Sequence, residues 1–426
     1  MNIRDPLYGF IDLDDCEAQF LSAPPVQRLR HIHQLGLTLL VYPSASHKRF
    51  EHSLGVAHLA GKIFDVVTQQ QHIYPELQER IPYKELDLKN WRRIVRLGAL
   101  LHDIGHLPFS HAAEDELLPY GWDHERLGVE YITSDHLKSL FDKFDINPKV
   151  VARIAVGKKK LPNAEFSPWE ELVSEIIVGD VFGADRMDYL LRDSYHLGVA
   201  YGHFDHHRLI QRLRILPDVD DSTKPTLGID EGGMHVAEGL LLARYFMFSQ
   251  VYLEETRRIC DYHLKEFLLD YFNDGPDLTN LETHLGTTDN EIFTALKKAA
   301  SDRCQKGHVP ATRLMKREHF RFLGKRDPDE DISGEDFVSA LRQEFGEESV
   351  ILDKTPEKSK NIDFPVWRHQ GTKHEDYVSV KKMSKVISMI PAEYFEGIFC
   401  DPAKYEPISS RYHPILESLR MPLLRS

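Results

Sequence analysis

Three histidines and one aspartate fall within ten residues of an otherwise apolar stretch, Leu100-Leu101-His102-Asp103-Ile104-Gly105-His106-Leu107-Pro108-Phe109-Ser110-His111. Imidazole nitrogen and carboxylate oxygen together suit a borderline or hard divalent ion such as Zn, Mn, Fe or Mg. Neighbours on a helix diverge by about 100°, so His102 and Asp103 do not share a face. An ion bound by both must sit over the edge between them and take its other ligands from other helices. An isolated His-Asp pair carries little weight, because most such pairs are ordinary helix surface. Here the preceding run (Ile94, Val95, Leu97, Ala99, Leu100, Leu101) reads as a buried helix. An ionisable pair at the end of such a helix costs energy unless something pairs with it. A satisfied buried polar pair is the alternative to a metal site.

Two further stretches carry chemistry. In Ser46-His47-Lys48-Arg49-Phe50-Glu51-His52-Ser53-Leu54 the apolar positions Phe50, Leu54, Ala57 and Leu59 have helical spacing. His52 lies among them and is expected to point inward, either as a core histidine with a backbone partner or as a ligand. His47, Lys48 and Arg49 on the same turn suit a nearby anion. Between Glu175 and His196, the residues Asp185, Asp188, Tyr189, Arg192 and Asp193 recur at i, i+3, i+4, i+7 and i+8. That is one polar helix face, set among Phe182, Met187, Leu190 and Leu191. It reads either as a surface network of acids and arginines or as a functional stripe on a mostly buried helix.

The elements that must position these residues are mainly helical. Gly9 to Leu13 alternates like a small hairpin. Pro24-Pro25 opens a helix through Leu35 that stops at Gly36, and Thr38–Pro43 is an apolar link. Asp123 caps a helix containing Leu127, Val129 and Tyr131. Helices continue over 136–157, and Lys158-Lys159-Lys160 before Pro162 reads as a solvated loop. Ile215 to Gly233 is a loop or hairpin, and Ala237 to Phe272 a long helical region ending at Asp274-Gly275-Pro276. Pro328, within the charged stretch Lys325 to Asp331, marks a boundary. Short strands are expected at 348–352, 364–367 and 377–380. The expected architecture is a mainly α core over 1–325 and a small mixed α/β subdomain over 326–426.

Composition excludes several classes. The 426 residues are 42% hydrophobic and 28% charged, which is ordinary for a globular protein. A formal charge of −14 argues against stable, nonspecific binding of nucleic acid. Four scattered cysteines form no CxxC pair and fit a reducing, cytoplasmic setting. No stretch of 18 apolar residues suggests a membrane span, and the N-terminus has no apolar run of a signal peptide.

The combination of His52, His102-Asp103 and Asp185 resembles the H…HD…D signature of the HD-domain metallohydrolases. The flanking words Gln27-Arg28-Leu29-Arg30, Pro108-Phe109-Ser110-His111, Asp123-His124-Glu125 and Arg192-Asp193-Ser194-Tyr195-His196-Leu197-Gly198 look like the deoxynucleoside triphosphate triphosphohydrolases (dNTPases) of that group. This branch includes the vertebrate SAM-and-HD-domain enzymes, their bacterial relatives and the dGTPases. The likeness is dense from Asp5 to Gly324, and no preceding SAM module is expected.

The resemblance implies that His52, His102, Asp103 and Asp185 ligate one divalent metal ion (Mn, Fe, Zn, Ni or Mg), with additional Mg accompanying the triphosphate. It implies hydrolysis of dNTPs at the α-phosphorus to deoxynucleoside and triphosphate. His106, His111, Glu114 and His124 match catalytic positions, with His111 oriented by Glu114 to protonate the leaving 5′ oxygen. The family carries aspartate where Glu114 stands. Arg49, Arg186 and Arg244 match triphosphate contacts. Tyr189 and Asp193 match sugar and base contacts, as do Gln34 and Leu35, and Tyr252 is grouped with the substrate residues. A homo-oligomer, dimer or tetramer, is implied as well.

One departure concerns regulation. Regulated relatives bind an activating guanine nucleotide through a lysine, an aspartate and an arginine near the N-terminus and a further lysine. Here Arg30 is present, but Met1, Ser22 and Glu255, next to Glu254, stand at the other positions. Carboxylates disfavour a phosphate, so activation of that type is expected to be absent or altered. The competing functions are an HD phosphohydrolase on another phosphoester and a nucleotide-binding regulator without turnover. The arginines and the full set of ligands favour the dNTPase.

Overall fold

The helix Arg49–Val67 is apolar on almost every side: Phe50, Leu54, Val56, Leu59, Ile63 and Phe64 are all buried. A helix of that kind belongs in the middle of a core, and it packs against the helices Leu88–Leu101 and Ala184–Leu197. Leu88–Leu101 in turn packs against Pro148–Lys160. Gly98 makes this crossing close, because a Cβ there would stand 3.2 Å from Ile154 and Ile177. The computed structural model describes residues 1–78, 87–112, 114–273, 275, 277–327, 330–355 and 362–423. Part of the polar stretch between Gln69 and Asn90 lies outside the described residues. So do Ala113, Asp274, Pro276, Pro328 and Asp329, on which the expected break at 274–276 and boundary at 325–331 partly rest.

The architecture is mainly α, with short strands in three sheets among the described residues. Asn2–Asp5 and Gly9–Asp12 form an antiparallel hairpin; the alternation from Gly9 onward marks only its second strand. The predicted helix from Pro24 to Leu35 is shorter. Pro24–Arg28 is α-helical, Leu29–His31 is a 3-10 turn, and a second 3-10 helix, Gly36–Leu40, replaces the expected link. Lys158–Lys160 do not form a loop. They prolong Pro148–Lys160 beyond a kink at Gly157, whose φ of +75° suits glycine. The helical region after Ala237 is interrupted: Met234–Met247 passes through a π-helical turn, Phe248–Tyr252, before Glu255–Phe272. Leu213–Pro217 and Pro225–Asp230 form the hairpin expected at 215–233.

The chain forms two compact units, each discontinuous in sequence. The first comprises Met1–Met247, Asp277–Asp289 and Asn361–Ile390. Its four-stranded sheet explains the return of the last segment, because Pro365–Arg368 pairs in parallel with Pro225–Asp230 and antiparallel with Asp376–Ser379. The second comprises Phe248–Pro276, Asn290–Lys360 and Pro391–Ser426. Its sheet sets Glu396–Cys400 between Arg321–Lys325 and Val350–Lys354. The helices Gly334–Phe345 and Tyr405–Leu423 contribute Phe337, Leu341, Ile408 and Ile415 to a core with Val350 and Ile398. A single cut at 325/326 therefore differs from this division, since strand pairing carries segments across it in both directions. No helix among the described residues is long and apolar enough to cross a membrane.

Candidate metal centre and catalytic site

Three elements bring four ligand-type side chains together. His52 lies one turn into Arg49–Val67, His102 and Asp103 follow the end of Leu88–Leu101, and Asp185 lies in the first turn of Ala184–Leu197. Donor atoms of His52, His102 and Asp103 lie within 4.8 Å of one another. Asp185 Oδ1 is 3.1 Å from His52 Nε2 and 3.7 Å from His102 Nε2. Both imidazoles are held through Nδ1: His52 Nδ1 lies 2.8 Å from Asp188 Oδ2, and His102 Nδ1 lies 2.7 Å from the Ala99 carbonyl. A proton on each Nδ1 donates to these acceptors and leaves Nε2 as a lone pair facing the centre. His102 Nε2 is buried without a hydrogen-bond partner, an arrangement that a cation would satisfy. Two imidazole nitrogens and two carboxylates fit a divalent ion. Burial works to raise the Asp103 pKa, but Arg49, His102 and His106 overcome it and hold the carboxyl well below the usual carboxylate range.

The polar stripe on Ala184–Leu197 is not a surface network: Asp188, Arg192 and Asp193 are buried, and Asp185 and Tyr189 are half-buried. Asp188 and Arg192 are fully buried. Asp188 accepts from His52, from Arg192 Nε at 2.8 Å and Nη2 at 3.0 Å, and from the Tyr8 hydroxyl at 2.8 Å. Arg192 Nη1 continues to Asp5 at 2.9 Å. Burial opposes ionisation of Asp188, yet Arg192 and His52 bring its pKa down to about 2. The N-terminal hairpin is thereby tied to the carboxylate that orients His52. Asp188 and Arg192 were visible in the sequence as members of the stripe. Tyr8 offered no such signal.

The loop after Asp103 presents the second group. Phe109 and Ser110 both take left-handed backbone conformations, with φ of 57° and 63°, and His111 follows with its side chain 64% exposed. Glu114 is buried and bridges two histidines: its carboxylate lies 3.0 Å from His111 Nδ1 and 2.8 Å from His124 Nδ1, and it accepts the His124 backbone N–H at 2.8 Å. Burial raises the Glu114 pKa, but the hydrogen bonds from His111 and His124 lower it far more. The same pairing raises His124 against the effect of its own burial. His106 stacks on His124 with centroids 3.9 Å apart, and its Nε2 is 3.2 Å from Asp103 Oδ1. His106, His111, Glu114 and His124 thus form one cluster beside the candidate ligands.

The residues matched to substrate contacts are less uniform. Arg49 is buried; its Nη1 pairs with Asp103 Oδ2 at 2.6 Å and its Nε donates to Ser110 Oγ at 2.9 Å. Gln34 and Leu35 are buried just before Gly36–Leu40. Asp193 is buried, 2.7 Å from His47 Nε2, and His47 stacks on His196. Arg186 and Tyr189 are half-buried on Ala184–Leu197, and Arg244 is buried on Met234–Met247. Tyr252 belongs to the second unit. A cavity of about 520 Å³ reaches Asp185 from the side of Lys158, Glu175 and Asp218; Arg49, Arg186 and Arg244 do not line it.

Comparison with known proteins bears on the family. The HD domain matches residues 49–191, and the HD associated region matches 204–398. An uncharacterised protein of Methanocaldococcus jannaschii is 37% identical over 66% of this chain and 52% of its own length. The human deoxynucleoside triphosphate triphosphohydrolase SAMHD1 is 27% identical over 82% of this chain and 59% of its own. The chain spans about half the length of the first of these curated relatives and somewhat more of the second. The crystal structure of a hypothetical protein from Aquifex aeolicus superposes with a TM-score of 0.76 at 30% identity, over 96% of this chain and 99% of that one. The chain belongs to the HD-domain family and carries the associated region of that family.

Proposed function

We propose that this protein is a phosphohydrolase that cleaves deoxynucleoside triphosphates at the α-phosphorus, releasing deoxynucleoside and triphosphate. The observation that carries this reading is the placement of the His111–Glu114–His124 cluster beside the convergent Nε2 atoms of His52 and His102. A divalent cation held by His52, His102, Asp103 and Asp185 would supply Lewis-acid polarisation of the phosphoryl group. Glu114 holds His111 through Nδ1 and leaves Nε2 to deliver a proton to the departing 5′ oxygen. The longer reach of glutamate, compared with the aspartate of the resembling family, serves His111 and His124 together. Arg49, Arg186 and Arg244 supply guanidinium groups suited to a triphosphate. The similarity to SAMHD1 supports the choice of substrate. A homo-oligomer acting in the cytoplasm belongs to the same reading, and light scattering on the purified protein tests the assembly.

The deciding experiment is product analysis. The protein is incubated with each dNTP and Mg²⁺ or Mn²⁺, and the products are resolved by ion-pair chromatography. Deoxynucleoside with intact triphosphate is the expected result. Diphosphate products, or turnover only of other phosphoesters, would refute it.

A further inference from the structure

The loop between the ligand Asp103 and His111 is gripped from a segment nearly two hundred residues away. Asp289, in the HD associated region, is fully buried. Its Oδ1 accepts the backbone N–H of Phe109 at 2.7 Å, and its Oδ2 accepts the backbone N–H of His33 at 2.7 Å. The same oxygen is 2.6 Å from His33 Nδ1, and Lys48 Nζ reaches the other ring nitrogen of His33 at 2.7 Å. Lysine can only donate there, so Nε2 accepts and Nδ1–H donates to Asp289. Two more ties come from the same segment. The buried His284 has Nε2 3.1 Å from the Gly105 carbonyl, and its Nδ1 is 3.0 Å from the Tyr131 hydroxyl. Arg28 joins the Thr287 carbonyl at 2.7 Å to the His106 carbonyl at 2.8 Å.

His284 and Arg28 hold the start of the loop at Gly105 and His106, and Asp289 holds its strained part at Phe109. Two consecutive non-glycine residues with positive φ are unfavourable and persist only where their surroundings hold them. Phe109 and Ser110 are such a pair, immediately before His111. The Ser110 hydroxyl is fixed as well, donating to the His33 carbonyl at 3.1 Å and accepting from Arg49. We infer that Asp289 is a positioning residue: the 284–289 segment holds the Phe109–Ser110 turn and thereby sets His111 relative to the metal ligands. The associated region thus contributes to the geometry of the HD site without touching the reacting atoms. The catalytic part of this inference rests on the role proposed for His111.

The test compares Asp289→Ala with Asp289→Asn in the full chain. Alanine leaves the Phe109 and His33 N–H groups buried without an acceptor, whereas asparagine keeps Oδ1 for Phe109 and loses only the acceptor that faces His33. The first readout is the rate of diethyl pyrocarbonate modification of His111, followed by peptide mass spectrometry, with the exposed His235 as internal reference. The second is kcat and KM for the dNTP that the wild type turns over. The third is Mn²⁺ bound per chain. Asp289→Ala is expected to change the His111 modification rate several-fold and to lower kcat about 100-fold, the scale of a misplacement of about 1 Å. KM and bound Mn²⁺ should stay within about threefold, and asparagine, which keeps the Phe109 tie, should lose less than alanine in both readouts. Equal His111 reactivity and kcat in Asp289→Ala and wild type would overturn the inference. So would an asparagine variant no better than alanine. If Asp289→Ala does not fold, His33→Ala takes its place; it leaves the Phe109 tie intact and is expected to change kcat less than tenfold. A larger loss would assign the effect to His33. Absence of dNTP turnover in the wild type would refute the proposed function, while the modification rates would still decide the role of Asp289.

Discussion

Replacing Gly55 with alanine sets a small, well-defined wedge against the groups that orient His52. A Cβ at this position would lie 2.7 Å from Asp188 Cγ, and closer still to Asp188 Oδ1 and Arg192 Nη2. Neither group has room to retreat, because both are fully buried and bonded to each other, to His52, to Tyr8 and to Asp5. Alanine in mid-helix gains about 1 kcal/mol of helix propensity over glycine. Breaking a buried ion pair costs about 3–5 kcal/mol, so the net loss is about 2–4 kcal/mol. At about 2–4 °C per kcal/mol for a body of this size, the first unfolding transition should fall by roughly 4–16 °C. Metal affinity should weaken about 10- to 100-fold, as when a partner of a ligating histidine is lost. Calorimetry and equilibrium dialysis with Mn²⁺ measure the two effects. Gly239→Ala is the control, since a Cβ there meets nothing within 4 Å, and it should leave stability unchanged or raised by up to about 1 kcal/mol. A Gly55→Ala protein as stable and as metal-competent as Gly239→Ala would refute the account of the Asp188–Arg192 pair.

Three other perturbations test separate parts of the molecule. Glu114→Gln removes the charge shared by His111 and His124, and kcat is expected to fall about 100-fold or more with little change in Mn²⁺ bound per chain; steady-state kinetics beside metal analysis check it. Burial raises Glu175 to about 7, with Asp218 and Glu171 adding to the shift against hydrogen bonds from Leu227 and Thr226. A folded pKa above the unfolded value of about 4.3 means that ionisation penalises the folded state: the penalty is absent below about pH 4, grows between about 4 and 7, and is complete above. Glu175→Gln should therefore melt higher than wild type at pH 8 and converge with it near pH 4, and parallel melting curves at all pH values would contradict this. GTP should change dATP hydrolysis less than twofold. Arg30 already lies over the Phe50 ring at 3.5 Å and donates to Gln27, and Glu254 caps Glu255–Phe272 by accepting from Arg257 N. Strong dependence on GTP in a turnover assay would refute the expectation that activation of this type is absent or altered.

Much of this was legible one segment at a time. The burial of Arg49–Val67 follows from apolar residues at every turn, the strand Gly9–Asp12 from alternation, and the cap at Asp123 from its place before an apolar run. The candidate ligands could be named because each sits in a local pattern: a histidine on an apolar helix, a His-Asp pair at a helix end, an acid opening a polar stripe. Boundaries failed where backbone geometry overrides side-chain pattern, as at the kink of Gly157 and the π-helical turn Phe248–Tyr252. The pairing of Pro365–Arg368 with Pro225–Asp230 could not be read either, because strand partners are chosen by packing across long loops.

Residue type and the apolar face of each helix are local properties, set by neighbours within one or two turns, and they can be read from the chain alone. The acceptor that each buried polar group finds is a property of the folded chain. Tyr8 meets Asp188 across 180 positions, His47 meets Asp193 across 146, and Phe109 meets Asp289 across 180. A buried donor must be satisfied by something, but that rule does not name the partner. Folding selects it by bringing distant segments together, and here that selection holds His52 by Nδ1 and fixes the strained turn before His111.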